Sequence, residues 1–155
     1  MKLTSSAFAH ESNIPARYTC EGDDVSPALT WSDAPETTVA YAIIMDDPDA
    51  PPGTWVHWVL WNLDGGVRGL GEGVPKEESL DGGVSQGACW GVDSFERVGY
   101  HGPCPPPGTP HRYYFKLFAL DARLNAPDRA TKDQLLAAMD GHILAETQLM
   151  GLYQR

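Results

Sequence analysis

The chain has 155 residues, 42 % of them apolar and 21 % charged, and a net charge of −10. That length and composition suit one globular domain with a sizeable core and exclude an intrinsically disordered chain. The charge argues against nucleic acid as a partner, since neutralising phosphates takes clustered Lys and Arg, and against adhesion to anionic membrane surfaces.

The N-terminal residues Met1-Lys2-Leu3-Thr4-Ser5-Ser6 contain no apolar stretch of the kind a signal peptide needs. No run approaches the roughly 18 apolar residues of a membrane span. The expectation is a cytoplasmic protein with no stable membrane insertion. The three cysteines, Cys20, Cys89 and Cys104, are odd in number and widely spaced. They are read as mostly reduced thiols, with one bridge left open. No Cys-x-x-Cys or His-x-x-x-His pair marks a structural zinc site, and no cofactor is expected.

The 13 prolines and 16 glycines are spread along the sequence and punctuate it into short segments, which points to an all-β plan. Residues 3–8 and 28–31 are weak strand candidates. Residues 38–45 (TVAYAIIM) are β-branched and apolar. Residues 54–63 (TWVHWVLWNL) are apolar on both alternating faces, as for a strand buried at the centre of a sandwich. Residues 111–120 (HRYYFKLFAL) place His111, Tyr113, Phe115 and Leu117 on one face. Thr131 and Gln134 form a capping-box pattern, and Leu135, Leu136, Met139, Ile143 and Leu144 follow at helical spacing. A helical segment is therefore expected from Thr131 toward Gly151, with Gly141 as a kink. The overall reading is mainly β: one antiparallel β-sandwich domain over residues 1–155 with a helical C-terminal segment.

Two polar islands flank the central strands. The first is Asp46-Asp47-Pro48-Asp49-Ala50-Pro51-Pro52-Gly53, followed by Trp55-Val56-His57-Trp58. Prolines preset the loop leaving the strand at Asp47, while Asp47 and Asp49 also suit plain turn chemistry. His57 lies among large apolar residues, so its ring must find partners, either as a core histidine or as a donor facing a pocket. The second island runs from Gly99 to Tyr113. Gly102 and Gly108 enclose its Pro-rich loop and permit a close backbone approach to a ligand. His111 and Tyr113 follow on one strand face.

Together the islands resemble the phosphatidylethanolamine-binding (Raf kinase inhibitor protein-like) family. The matching elements are Asp47-Pro48-Asp49-Ala50-Pro51, His57, Gly102-Pro103-Cys104-Pro105-Pro106 and His111-Arg112-Tyr113. The bacterial and archaeal branch is closer still, through Cys20-Glu21-Gly22 with Ser26-Pro27-Ala28-Leu29-Thr30-Trp31 and a terminal helix resembling Gly141-His142-Ile143-Leu144-Ala145-Glu146. The resemblance spans nearly the whole chain. It implies a β-sandwich with a small pocket for phosphate, acetate or a phosphoethanolamine-like head group. The implied lining is Asp47, Asp49, His57, His111 and Tyr113, with Pro51 and Trp55 as wall and Gly102, Cys104 and Pro105 closing another side. Imidazole donors would hold the anion, and Asp47 would orient one histidine and keep its proton. The Gly87–Ser94 stretch departs from the family's short Gly-x-Asn-x-Phe pattern, with Asp93 where Asn is expected.

A non-enzymatic binding module is the leading expectation, with regulation of a protein kinase or a serine protease as the role that relatives suggest. Two other classes compete with it. One is a serine-protease inhibitor acting through residues 48–53 or 87–97, for which an exposed Trp90 would speak. The other is a hydrolase-type enzyme that uses Asp47, His57 and His111 around a metal, or Cys104 as nucleophile. The latter lacks both helical metal-site spacing and a helix N-terminus to activate the thiol. Relatives are often homodimers, and five Trp, six Tyr and four Phe leave material for such an interface as well as for the core.

Overall fold

The computed structural model describes residues 1–155. Its strands are β1 (Lys2–Thr4), β2 (Leu29–Ser32), β3 (Ala40–Asp47), β4 (Trp55–Asp64), β5 (Gly69–Leu70), β6 (Ser85–Gln86), β7 (Ala88–Cys89), β8 (Arg97–Val98), β9 (His111–Leu120) and β10 (Ile143–Tyr153); the one α-helix, α1, spans Lys132–Met139. A five-stranded sheet of order β10-β9-β3-β4-β6 forms the body, with a three-stranded sheet β1-β2-β5 and the small pair β7-β8 beside it. The pairings are all antiparallel. The mainly β, antiparallel expectation holds, and β3, β4 and β9 lie within two residues of where the sequence places them.

The central sheet is covered on both faces. Tyr41, Ile43 and Met45 join Trp58, Leu60, Phe115 and Leu117 on one side, against Leu3, Leu29 and Trp31 of the smaller sheet. Ala42, Ile44, Val59 and Phe118 face the other way, against Leu135 and Met139 of α1. The period of two along β3 therefore serves two cores, which is why all eight of its residues are buried. Asp46 follows the helix face, where its Oδ2 accepts from Lys132 Nζ at 2.7 Å and Lys116 Nζ at 3.1 Å.

The C-terminal helical segment is shorter than expected. The capping box is present, with Thr131 Oγ1 accepting from the Gln134 N–H and Gln134 Oε1 from the Thr131 N–H. The helix nevertheless stops at Met139. Gly141 then takes φ 78°, and Ile143–Tyr153 pair along β9 as a strand. Leu149, Gly151 and Tyr153 are buried at a spacing of two, whereas Ile143 and Leu144, which look helical by local spacing, are exposed. Gly151 is no helix stop: a Cβ there would lie 2.5 Å from Ile14 Cγ1.

The expectation of mostly reduced thiols is also corrected. Cys20 and Cys104 form a disulfide across 84 residues of sequence, leaving Cys89 as the one free, buried thiol. The bridge fixes the Pro-rich segment to an N-terminal turn, helped by the Cys20 N–H donating to Pro103 O and the Tyr100 hydroxyl to Tyr18 O. No helix is long and apolar enough to cross a membrane.

Candidate functional site

A cavity of about 350 Å³ opens where β3 ends and β4 and β9 begin. Asp47, Pro51, Trp55, His57, Cys104, Pro105, His111 and Tyr113, all expected from sequence, line it together with Ala50, Pro52, Trp90 and Pro106. Asp49 and Gly102 do not. Gly102 lies behind the wall, where its N–H donates to Asp24 Oδ1 and a Cβ would meet Tyr18 O at 2.1 Å. Its lack of a side chain serves packing between chain segments and not the approach of a ligand. Asp49 takes Arg112 in a fork: its Oδ1 accepts from Nη2 at 2.8 Å, its Oδ2 from Nε at 2.9 Å, and the same Oδ2 from the Arg112 N–H. Arg112 holds the Asp49 carboxyl below the usual range, and the pair clips the proline loop to β9.

Asp47 is almost fully buried. Its Oδ2 accepts from His111 Nδ1 at 2.7 Å, and its Oδ1 from the Asp49 N–H at 2.8 Å. It therefore orients His111, the role that sequence reasoning gave it toward one histidine. His57 is held differently. The register between β3 and β4 slips between Met45 and Asp46, so His57 is the extra residue of a bulge. Such bulges re-aim side chains, and here His57 reaches the cavity although the next residue, Trp58, packs into the core. Its Nδ1 donates to His101 O at 2.6 Å, and the His101 N–H returns a bond to His57 O. Burial pushes the His57 imidazole down, outweighing the His101 carbonyl and the Asp47 charge that favour its cation. Burial thus favours the neutral ring at His57.

The Tyr113 hydroxyl is the one fully buried side-chain polar atom without a hydrogen-bond partner. Burial first, and the Asp47 charge second, raise its phenol well above the ordinary range, so it stays an O–H donor. Asp47 lies near enough to act on the hydroxyl, but no acceptor meets it in hydrogen-bond geometry. No Lys or Arg lines the cavity.

Trp90 is the main residue that sequence reasoning did not place in the site. It has φ 73°, a costly left-handed conformation for a bulky side chain. Its N–H donates to Val56 O, and Gly91 O accepts from the Val56 N–H, so the loop is tied to the start of β4. Arg97 covers its ring at 4.4 Å, and it meets Trp55 and His57 edge-on.

A profile of the phosphatidylethanolamine-binding protein family matches residues 4–154. The chain belongs to that family. Among its relatives, the UPF0098 protein of Methanothermobacter thermautotrophicus is 44 % identical over all of this chain and 99 % of its own length. That of Aquifex aeolicus is 44 % identical over all of this chain and 89 % of its own. The crystal structure of a phosphatidylethanolamine-binding protein homolog from Chlamydia trachomatis superposes with a TM-score of 0.87 at 41 % identity, covering 99 % of this chain and 96 % of that one. YbcL of Escherichia coli, described as a new member of the mammalian phosphatidylethanolamine-binding protein family, shares the fold with a TM-score of 0.84 at 24 % identity, over 99 % of this chain and 98 % of its own.

One alternative from the sequence loses its chemistry. Cys104 is bonded to Cys20, which removes it as a nucleophile.

Proposed function

We propose that the protein is a non-enzymatic binding module whose cavity takes a small oxyanion such as phosphate or the head group of a phospholipid. The observation that carries this reading is the buried Tyr113 hydroxyl, a donor without a protein acceptor on the cavity wall. Buried polar groups are nearly always paired, so an unpaired one lining a cavity argues for a ligand that completes it. His111 supplies a second donor. With Nδ1–H on Asp47, a proton taken up on Nε2 makes a charge-assisted bond to an oxyanion while the carboxylate steadies the imidazolium. Tryptophans 55 and 90 and the prolines give the apolar wall that shuts water out and strengthens these bonds.

The test is a phosphate and phosphoethanolamine titration followed by tryptophan fluorescence. Tyr113→Phe, which removes only the hydroxyl, is expected to weaken binding by about tenfold. Asp47→Asn, which takes the carboxylate from His111 Nδ1, is expected to weaken it by about tenfold. Tight binding that neither variant alters would remove this reading.

A further inference from the structure

The central sheet ends on β10, and the outer edge of that strand is closed over only part of its length. Residues 10–14 run along its final stretch. There the Glu11 N–H donates to Met150 O, the Met150 N–H to His10 Nδ1, the Leu152 N–H to Ser12 O and the Ile14 N–H to Leu152 O. Even-numbered residues of β10 therefore turn their backbone outward, while odd-numbered ones bond β9. By the same alternation the N–H and C=O of Glu146 and Gln148 point outward, and no group of the protein meets them.

A groove of about 540 Å³ lies beside this bare stretch, lined by Lys116, Phe118, Leu136, Glu146, Thr147 and Gln148. Leu136 of α1, and Leu144 two residues before Glu146, leave apolar surface exposed. The free charge here is negative. Both lysines of this face, Lys116 and Lys132, are spent on Asp46. Glu146 enters no ion pair, and neither do the exposed Asp133 and Asp140, which stand one turn before and one turn after Leu136 along α1. A strand edge left open in this way is a template for pairing with another chain.

We propose that this edge docks an extended, basic segment of another protein by strand addition. The segment pairs its backbone with Glu146 and Gln148, sets a Lys or Arg opposite Glu146, and places an apolar side chain two residues away over Phe118 and Leu136. A second copy of this chain is the poorer occupant. The symmetric antiparallel pairing that uses all of residues 144–148 sets Glu146 opposite its own counterpart, and each copy carries a net charge of −10.

The test is fluorescence anisotropy of a short labelled peptide that alternates threonine with lysine and valine, titrated with the full chain at low ionic strength. Saturable binding is expected, about tenfold weaker when glutamate replaces the lysines. Glu146→Lys, a change at an exposed position that leaves the fold intact, is expected to weaken the lysine peptide about tenfold and to strengthen the glutamate peptide. Gln148→Pro removes an N–H that β9 does not use and is expected to abolish binding of both. The lysine peptide is also expected to slow amide exchange at Glu146 and Gln148. No saturable binding by the lysine peptide, or binding that Glu146→Lys leaves unchanged, would overturn the proposal. Exchange at the same two amides that slows with protein concentration, in the absence of peptide, would give the edge to a second copy and overturn it as well.

Discussion

Asp46 and Asp47 are adjacent on β3 and equally hidden from water, yet the pleat sends them to opposite faces and into opposite chemistry. Asp46 faces α1 and is met by two lysines on one oxygen. Both of its neighbours are lysines, and the cluster is a structural joint. Asp47 faces the cavity and is met by one imidazole, that of His111, which lines the cavity with it. The contrast teaches that burial of a carboxylate says little about function. What separates a joint from a site is whether an unpaired polar atom, here the Tyr113 hydroxyl, lines a cavity beside it.

The sharpest way to break the contrast is to strand Asp46. The double variant Lys116→Met, Lys132→Met keeps side-chain bulk but leaves a buried carboxylate without its cations, and a loss of about 3–5 kcal/mol in urea unfolding is expected. Lowering the pH should recover part of it by protonating the stranded group, and an unchanged stability would mean that the joint is not structural.

A smaller effect separates the cavity side. His57 and His101 both lie below their usual value of 6.5 in the fold, each chiefly through burial. The unfolded chain therefore binds more protons as the pH drops. Stability present above about pH 6.5 should be lost as the pH falls through the folded values, and His57→Phe should lessen the loss between pH 7.5 and pH 5. A His57→Phe profile identical to that of the wild type would assign the acid sensitivity elsewhere.

The smallest effect concerns the element that delivers Lys132 to Asp46. Thr131 caps α1 one residue before that lysine. Thr131→Ala is expected to cost about 1 kcal/mol and to leave phosphate affinity unchanged, since the cap acts on the joint and not on the cavity. A drop in affinity of more than about threefold would show that the two faces communicate.

Much of this was legible in the sequence because the signals were local. Strands β3, β4 and β9 showed in β-branched and apolar runs, and the start of α1 in Thr131 and Gln134. Asp47, His57, His111 and Tyr113 stood out as polar residues in or beside those runs. What escaped depends on distant partners. Ile143 and Leu144 fit a helical period, and only pairing with β9 makes them strand. The neutral state of His57 is set by burial among distant segments, and the carbonyl of His101, 44 residues away, holds its Nδ1 hydrogen. Trp90 carried no local mark of the cavity, since its backbone conformation is imposed by bonds to the start of β4. Asp49 looked like a ligand residue until Arg112 claimed both of its oxygens.

The lone thiol gives the disulfide a further property. Cys89 is wholly buried, its Sγ donates to Gly99 O, and burial pushes its thiol up to about 12. Attack on a disulfide requires a thiolate within reach, and the folded protein offers none at neutral pH. Once Cys20 and Cys104 have joined, the third cysteine cannot scramble the bond. The Cys20–Cys104 bond therefore has no internal thiolate to exchange with for as long as the sheet stays intact.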